Sequence, residues 1–327
     1  DDLAFGNIDY KKFGAWPGFN LYKPFYHLGT LYAVYDFLET DCGVRWYMPG
    51  DIGRVAPKKQ TLSFKPQQRR FCPWTYYRII GGGSWGRAGD PGKIDLYGMA
   101  RYTKYAPIRD NILYTLRTRR GGEAYSVCHS VYDYYKCFGK KHPDWFVNNT
   151  PGPKVQLKYS KPEVVKQVIK DAYDFFSLPP GLRRFGNKIS QAASVSAGNF
   201  FSVMPLDNRD YGKECMPPLQ PERQGKHYGS GVASNYIFAW VNKVAKAVRK
   251  KYPGAWISTA AYAGMFEPSD FNMEPNVAVT VCMAAPGPYG MKILKQWRSK
   301  VSYLNTWEYN YDKGFPNIWI HSFANYT

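Results

Sequence analysis

No run of eighteen or more apolar residues occurs in the 327 residues, so the sequence offers no transmembrane helix. The opening residues, DDLAFGNIDYKK, lack the basic and then apolar layout of a secretory signal. No Cys-x-x-Cys pair and no Cys/His group at zinc spacing is present, and no metal is expected. The six cysteines, at 42, 72, 128, 137, 215 and 282, are scattered as buried free thiols usually are. One or two disulfides stay open if the chain is secreted. The Gly81-Gly82-Gly83 run does not extend to a G-x-G-x-x-G opening a helix, so no nucleotide fold and no cofactor are expected. Acidic residues are few: 25 Asp and Glu against 44 Lys and Arg leave a net charge of +19.

That surplus favours an anionic partner. The cations are spread through the chain in short clusters such as Arg69-Arg70, Arg119-Arg120 and Arg249-Lys250-Lys251, which disfavours nucleic acid. Aromatic residues make up 17% of the chain, with 28 Tyr and 10 Trp. Flat rings that stack on sugars, beside cations that pair with carboxylate or sulfate, suit an anionic polysaccharide. A large aromatic core is the other account of the same rings. The sequons Asn148-Asn-Thr150 and Asn325-Tyr-Thr327 decide no compartment. The first residue is not Met and Ile318 to Ile320 reads as a further strand, so the chain is expected to be a piece of a longer protein.

Residues Gly29 to Pro57 open with the helical spacing of Leu31, Val34, Tyr35 and Leu38. Gly43 stops that helix, and Val44 to Met48 reads as a strand entering the Pro49-Gly50 turn. A further strand is expected at Thr61 to Phe64, and a domain boundary near residues 66–72. Residues 1–68 then form the end of a small α/β domain and residues 69–327 a second domain. Strands are expected at Tyr76 to Ile80, Tyr125 to His129, Val155 to Tyr159, Phe200 to Leu206, Trp256 to Ala261, Val277 to Met283 and Leu304 to Trp307. Between them, Ser160 and Glu163 spell a capping box around Pro162, with Val165, Val168, Ile169, Ala172 and Phe176 inward. Ser234 is placed to cap a helix burying Ile237, Phe238, Val241, Val244, Ala245 and Val248. Such alternation over roughly 250 residues predicts a TIM-type (β/α)8 barrel, complete or lacking a piece, with a doubly wound sheet as the rival. The long stretches Gly82 to Gly98 and Asp207 to Gly231 would shape a cleft.

Three apolar runs end on an ionisable residue, His129, Asp207 and Glu308. In parallel α/β sheets the chemistry sits at the strands' carboxyl ends, so these residues are expected to share a mouth. Neighbours along a strand point to opposite faces, which excludes a Cys128–His129 nucleophilic pair.

Several blocks resemble a known group of proteins. The segment GTLYAVYDFLETDCGVRWYMPGDIGRVAP is similar to the end of the small domain preceding the barrel in α-glucuronidases, hexosaminidases and a mostly bacterial glycoside-hydrolase-like family of unknown function. Cys128-His-Ser130, Lys141-His-Pro-Asp-Trp-Phe146, Val155-Gln-Leu157 with Pro162-Glu163-Val164, Val203-Met-Pro-Leu-Asp-Asn208 and Ala260-Ala-Tyr-Ala263 look like that family's blocks in order. The resemblance covers most of residues 29–310. It implies a barrel that binds glycans and cleaves glycosidic bonds, in a secreted, periplasmic or cell-surface protein. Related barrels commonly carry Glu where this chain has Asp207, and a cysteine pair where it has Cys215 alone.

Glycoside hydrolysis needs two carboxyl groups across the scissile bond. Asp207 is assigned as general acid, Glu308 as base or nucleophile, and His129 to a sugar hydroxyl or a proton relay. Tyr262 and Trp307 are expected to line a sugar subsite, with Arg78, Arg209 and Asn208 holding polar or anionic groups. The rival expectation is a glycan-binding or structural protein on a degenerate barrel.

Overall fold

The computed structural model describes residues 29–48, 50–64, 67–71, 77–78, 113–114, 116–119, 121–122, 125–178, 196, 198–225, 230–283 and 288–308. The expected strand at Ile318 to Ile320, the stretch Gly82 to Gly98, Cys72 and the sequon at Asn325 lie outside them. By backbone proximity the described residues fall into two compact units, one reaching Tyr125 and one beginning at Ser126.

In the first unit α1 (Gly29–Thr40) seats Tyr35 edge-on to Trp46, with ring centroids 5.6 Å apart. Gly43 takes φ 79°, a left-handed conformation cheap only for glycine, and lets the Val44 N–H close back on the Leu38 carbonyl at 2.9 Å. The chain then makes a short antiparallel ladder of β1 (Arg45–Trp46) with β2 (Arg54–Val55). Another joins β3 (Tyr77–Arg78) to β4 (Gly121–Gly122). Thr61 to Phe64, expected as a strand, is exposed irregular chain.

The second unit is an α/β layer structure. Its four-stranded sheet runs in the order β5 (Phe200–Ser202), β6 (Trp256–Ala261), β7 (Val277–Met283) and β8 (Tyr303–Glu308), all parallel. The burial of β6 and β7 along nearly their whole length is the signature of a parallel sheet covered on both faces. On one face Phe201 meets Phe175 and Phe176 of α3 (Pro162–Phe176), and α4 (Ser234–Lys251) packs beside α3. A short helix, α2 (Tyr134–Phe138), precedes them, and α5 (Pro288–Arg298) follows β7. Each Val or Ile buried by α4 contributes about 1.5–3 kcal/mol of transfer free energy. On the other face Phe200, Trp256 and Tyr303 form a ring cluster with centroids 5.1–6.2 Å apart. Beyond it, Ser202 and Ser258 point at the segment Ser126 to Ser130 and bond the carbonyls of Cys128 and Ser126 at 2.7 and 2.6 Å.

Both helix starts differ from the sequence pattern. Lys161 is the N-cap of α3, and the Ser160 hydroxyl instead donates to the Glu214 carbonyl at 3.3 Å. Ser234 is the first residue of α4 and donates to the Glu267 carbonyl at 2.6 Å. In both cases a tertiary acceptor outcompetes the local cap.

Between β6 and β7 the return path is an extended strap over residues 267–276 rather than a helix. Asn235, Asn242 and Arg249, seven residues apart and so on one side of α4, hold it down. Asn235 accepts from the Asp270 N–H at 2.9 Å, Asn242 bonds Asn272 and Glu274 at 2.9 Å, and Arg249 pairs with Glu274 at 2.8 Å. With no helix intervening, α4 and α5 touch directly through Phe238 and Trp297, 4.9 Å between centroids. No helix among the described residues is long and apolar enough to cross a membrane.

Candidate functional site

Strand β5 lasts only three residues, although the apolar run predicts a strand to Leu206. After Val203, whose N–H still reaches the Ser258 carbonyl at 2.8 Å, the backbone leaves the ladder. Its polar groups are then captured one by one. Ser130 holds Met204 through both its backbone N–H and its hydroxyl. The His129 Nδ1 lies 2.5 Å from the Pro205 carbonyl. Gln156, fully buried, accepts from the Leu206 N–H at 3.1 Å and donates to the carbonyls of Leu206 and Asn208 at 2.9 and 3.0 Å. It therefore grips the chain on both sides of Asp207, whose side chain is 53% exposed.

A carbonyl can only accept, so Nδ1 of His129 carries the hydrogen and the neutral ring offers its lone pair at Nε2. Nε2 faces Asp207 Oδ1 at 3.7 Å, too long for a direct hydrogen bond. Burial holds the His129 pKa below its ordinary value, against the opposing pull of the Pro205 carbonyl and the Asp207 charge. The pair is thus a neutral base beside an exposed carboxyl group.

Two rings complete the cluster. Tyr132 and Tyr262 stand edge-on to His129 with centroids 6.0 and 5.7 Å away. Burial, and then the charge of Asp207, raise the Tyr132 pKa, while a hydrogen bond with the Asp207 backbone lowers it. The structure thus brings together His129, Asp207 and Tyr262. It adds Tyr132, which sequence reasoning missed; its position three residues after His129 is the one local signal. The Cys128 thiol is pushed up to about 11, chiefly by burial, and is no nucleophile at neutral pH.

The remaining expected site residues are placed as follows. Asn208 is engaged in the loop itself, donating to the Lys154 carbonyl at 2.9 Å and accepting from Gln156 at 3.1 Å. Arg209 is exposed, beside buried Tyr211, whose pKa burial and then Tyr236 raise while the Arg209 charge opposes them. Trp307 is half-buried on β8, in register with Cys282, and Glu308 follows in register with Met283. By the period of two, the Glu308 position belongs to the other row from Trp307. Its side chain, like that of Arg78 on β3, lies outside the described residues. Three strand steps of about 4.8 Å separate β5 from β8, about 14 Å across a flat sheet. Among the described residues no group of three or more His, Cys, Asp or Glu could hold a metal ion.

No curated protein and no solved structure matches the chain. Residues 48–324 match the family described as Domain of unknown function (DUF4838), so the match spans most of the chain, and the protein belongs to that family.

Proposed function

We propose that the protein is a glycoside hydrolase acting on an acidic or otherwise decorated polysaccharide, outside the cytoplasm, on a TIM-type (β/α)8 barrel. The observation that supports this most is the meeting of a half-exposed carboxyl, a neutral buried imidazole and two tyrosine rings at the carboxyl end of β5. In this reading Asp207 protonates the glycosidic oxygen. His129 Nε2 accepts from a sugar hydroxyl, and Tyr262 and Tyr132 pack against the ring. Glu308 serves as base or nucleophile, which requires the sheet to curl toward closure. Paired glycosidase carboxyls stand about 5–9.5 Å apart, less than a flat sheet would leave between β5 and β8.

Assayed on sulfated, uronic and neutral glycans, the protein should release reducing ends. Asp207→Asn should lower the rate by about 10²–10⁴-fold while glycan binding persists, and undiminished turnover would overturn the assignment. A non-catalytic glycan-binding protein is the second reading, favoured by the three strand steps between Asp207 and Glu308. Equal glycan binding by the native chain and by the Asp207→Asn variant, with no product from either, would decide for it.

A further inference from the structure

The outward sides of α4 and α5 bear cations and no carboxylate: neither SNYIFAWVNKVAKAVRKK nor PYGMKILKQWR contains Asp or Glu. Lys243, Lys246 and Lys250 are exposed on α4, and Lys292 and Lys295 on α5. Their spacings of three and four residues line them up along each helix, those on α4 over about 10 Å at ~1.5 Å per residue. The Phe238–Trp297 contact joins the two helices through their buried sides and leaves both stripes facing outward.

The acids of the strap that α4 holds down are already matched to arginines. Arg223 takes Glu267 and Asp270 at 3.3 and 3.5 Å, and Arg249 takes Glu274 at 2.8 Å. Among the described residues none of the five lysines has an ion pair. Solvated helices commonly mix signs because like charges three and four residues apart destabilise the helix. Keeping one sign on two adjacent helices works against local stability and needs another reason.

We propose that this face is a second, non-catalytic binding surface for an anionic polysaccharide chain. Charge complementarity selects a polyanion. The exposed groups are mostly compact, hydrated ammoniums, with Arg249 and Arg298 the guanidiniums among them, and no exposed aromatic ring on either helix offers a stacking platform for bases. None of the large apolar residues exposed among the described ones lies on α4 or α5, so nothing there would enter a bilayer. The choice of a glycan rests on the proposed hydrolase activity, whereas the polyanion surface rests on the lysines alone.

The test uses the full chain with Asp207→Asn, so that binding is read without turnover. It compares this protein with one also carrying Lys243→Gln, Lys246→Gln, Lys250→Gln, Lys292→Gln and Lys295→Gln; glutamine keeps helix propensity and relieves the like-charge repulsion, so the unfolding midpoint should be no lower. Binding is measured over a range of salt to a sulfated polysaccharide, a polyuronate, duplex DNA and anionic phospholipid vesicles. The five substitutions should cost at least about tenfold in affinity for the polysaccharides and flatten the salt dependence by several ions. Lys140→Gln with Lys141→Gln, exposed elsewhere in the unit, should change little. Unchanged binding, an equal loss in the control, or tighter binding to DNA or vesicles than to polysaccharide would each refute the proposal. Loss of binding on the five substitutions, with no product from the unsubstituted chain on any glycan, would uphold the surface and remove the hydrolase.

Discussion

Replacing Gln156 by Leu tests how Asp207 is presented. The substitution keeps the volume of a fully buried site but deletes every hydrogen bond of the Gln156 side chain, leaving the backbone bond from the Val147 N–H. The Leu206 carbonyl retains the Asn208 N–H at 2.8 Å, and the Asn208 carbonyl, in a half-buried residue, can turn to water. Two groups are stranded in the core, the Leu206 N–H and the Tyr159 hydroxyl, which donate to Gln156 Oε1 at 3.1 and 2.5 Å. A buried unsatisfied group costs about 1–3 kcal/mol, so the pair sums to about 2–6 kcal/mol, a large part of the ~5–15 kcal/mol that holds a typical protein folded. Urea unfolding followed by tryptophan fluorescence should show this as an earlier midpoint with an unchanged slope. Gln156→Glu sharpens the test. It preserves the acceptor for both stranded donors but turns a second oxygen toward two carbonyls, so the acid must stay protonated when folded. A raised folded pKa gives stability that is present at low pH and lost as pH rises, so this variant's deficit should shrink on acidification toward ~4.3. A loss below about 1 kcal/mol for Gln156→Leu would refute the clamp.

The pH dependence of stability should carry a His129 component. Its folded pKa is depressed, so the unfolded chain takes up the proton first; the contribution is complete above the ordinary value of 6.5 and is lost as pH falls below it. Denaturant midpoints at near-neutral and mildly acidic pH should diverge less in His129→Gln than in the native chain, and parallel curves would contradict the assignment. The anchor of the residue leading into the strap is tested by Trp297→Phe, which removes the 2.8 Å bond from Nε1 to the Phe266 carbonyl and part of a fully buried ring. A loss of about 2–3 kcal/mol is expected, and one under about 0.5 kcal/mol would mean that α5 does not anchor the chain at Phe266.

Elements whose pattern is carried by burial were legible in the sequence. The inner faces of α3 and α4 follow the 3.6-residue period, and β6 and β7 are apolar runs bounded by turns. Elements decided by distant partners were not. The Ser160 and Glu163 spacing satisfies the capping rule, but an acceptor at Glu214, far along the chain, takes the hydroxyl. The run from Phe200 to Leu206 reads as one strand because hydrophobicity reports burial, not ladder bonding; Met204 and Leu206 are buried while bonded to side chains. Pro205, which has no N–H, marks the place where a ladder cannot continue. Pro268 and Pro275 similarly bracket the strap where a helix was expected. Of the three expected strand ends, Tyr262 directly follows β6, whereas Tyr125 to His129 is irregular chain and Asp207 lies five residues past the end of β5. Hydrogen bonds between those two segments bring His129 and Asp207 together, and Tyr132 joins them through the turn after Ser130.

The departure of the chain from the ladder after Val203 also explains why the imidazole and the carboxyl form a unit. A strand held by its neighbours would project alternate residues to opposite faces, and Asp207 would inherit whichever direction the register imposed. Here the direction is set by side-chain anchors at Met204, Pro205, Leu206 and Asn208, so the segment turns Asp207 outward without leaving a buried backbone group unpaired at those anchors. One anchor is His129 itself. The hydrogen bond that fixes Pro205 also fixes the ring's tautomer, directing the free nitrogen at the carboxyl two residues further along. Because the Pro205 carbonyl and the Asp207 backbone belong to one short clamped stretch, the ring and the Asp207 backbone are held in fixed relation, and the 3.7 Å separation follows from that path together with the Asp207 side-chain rotamer.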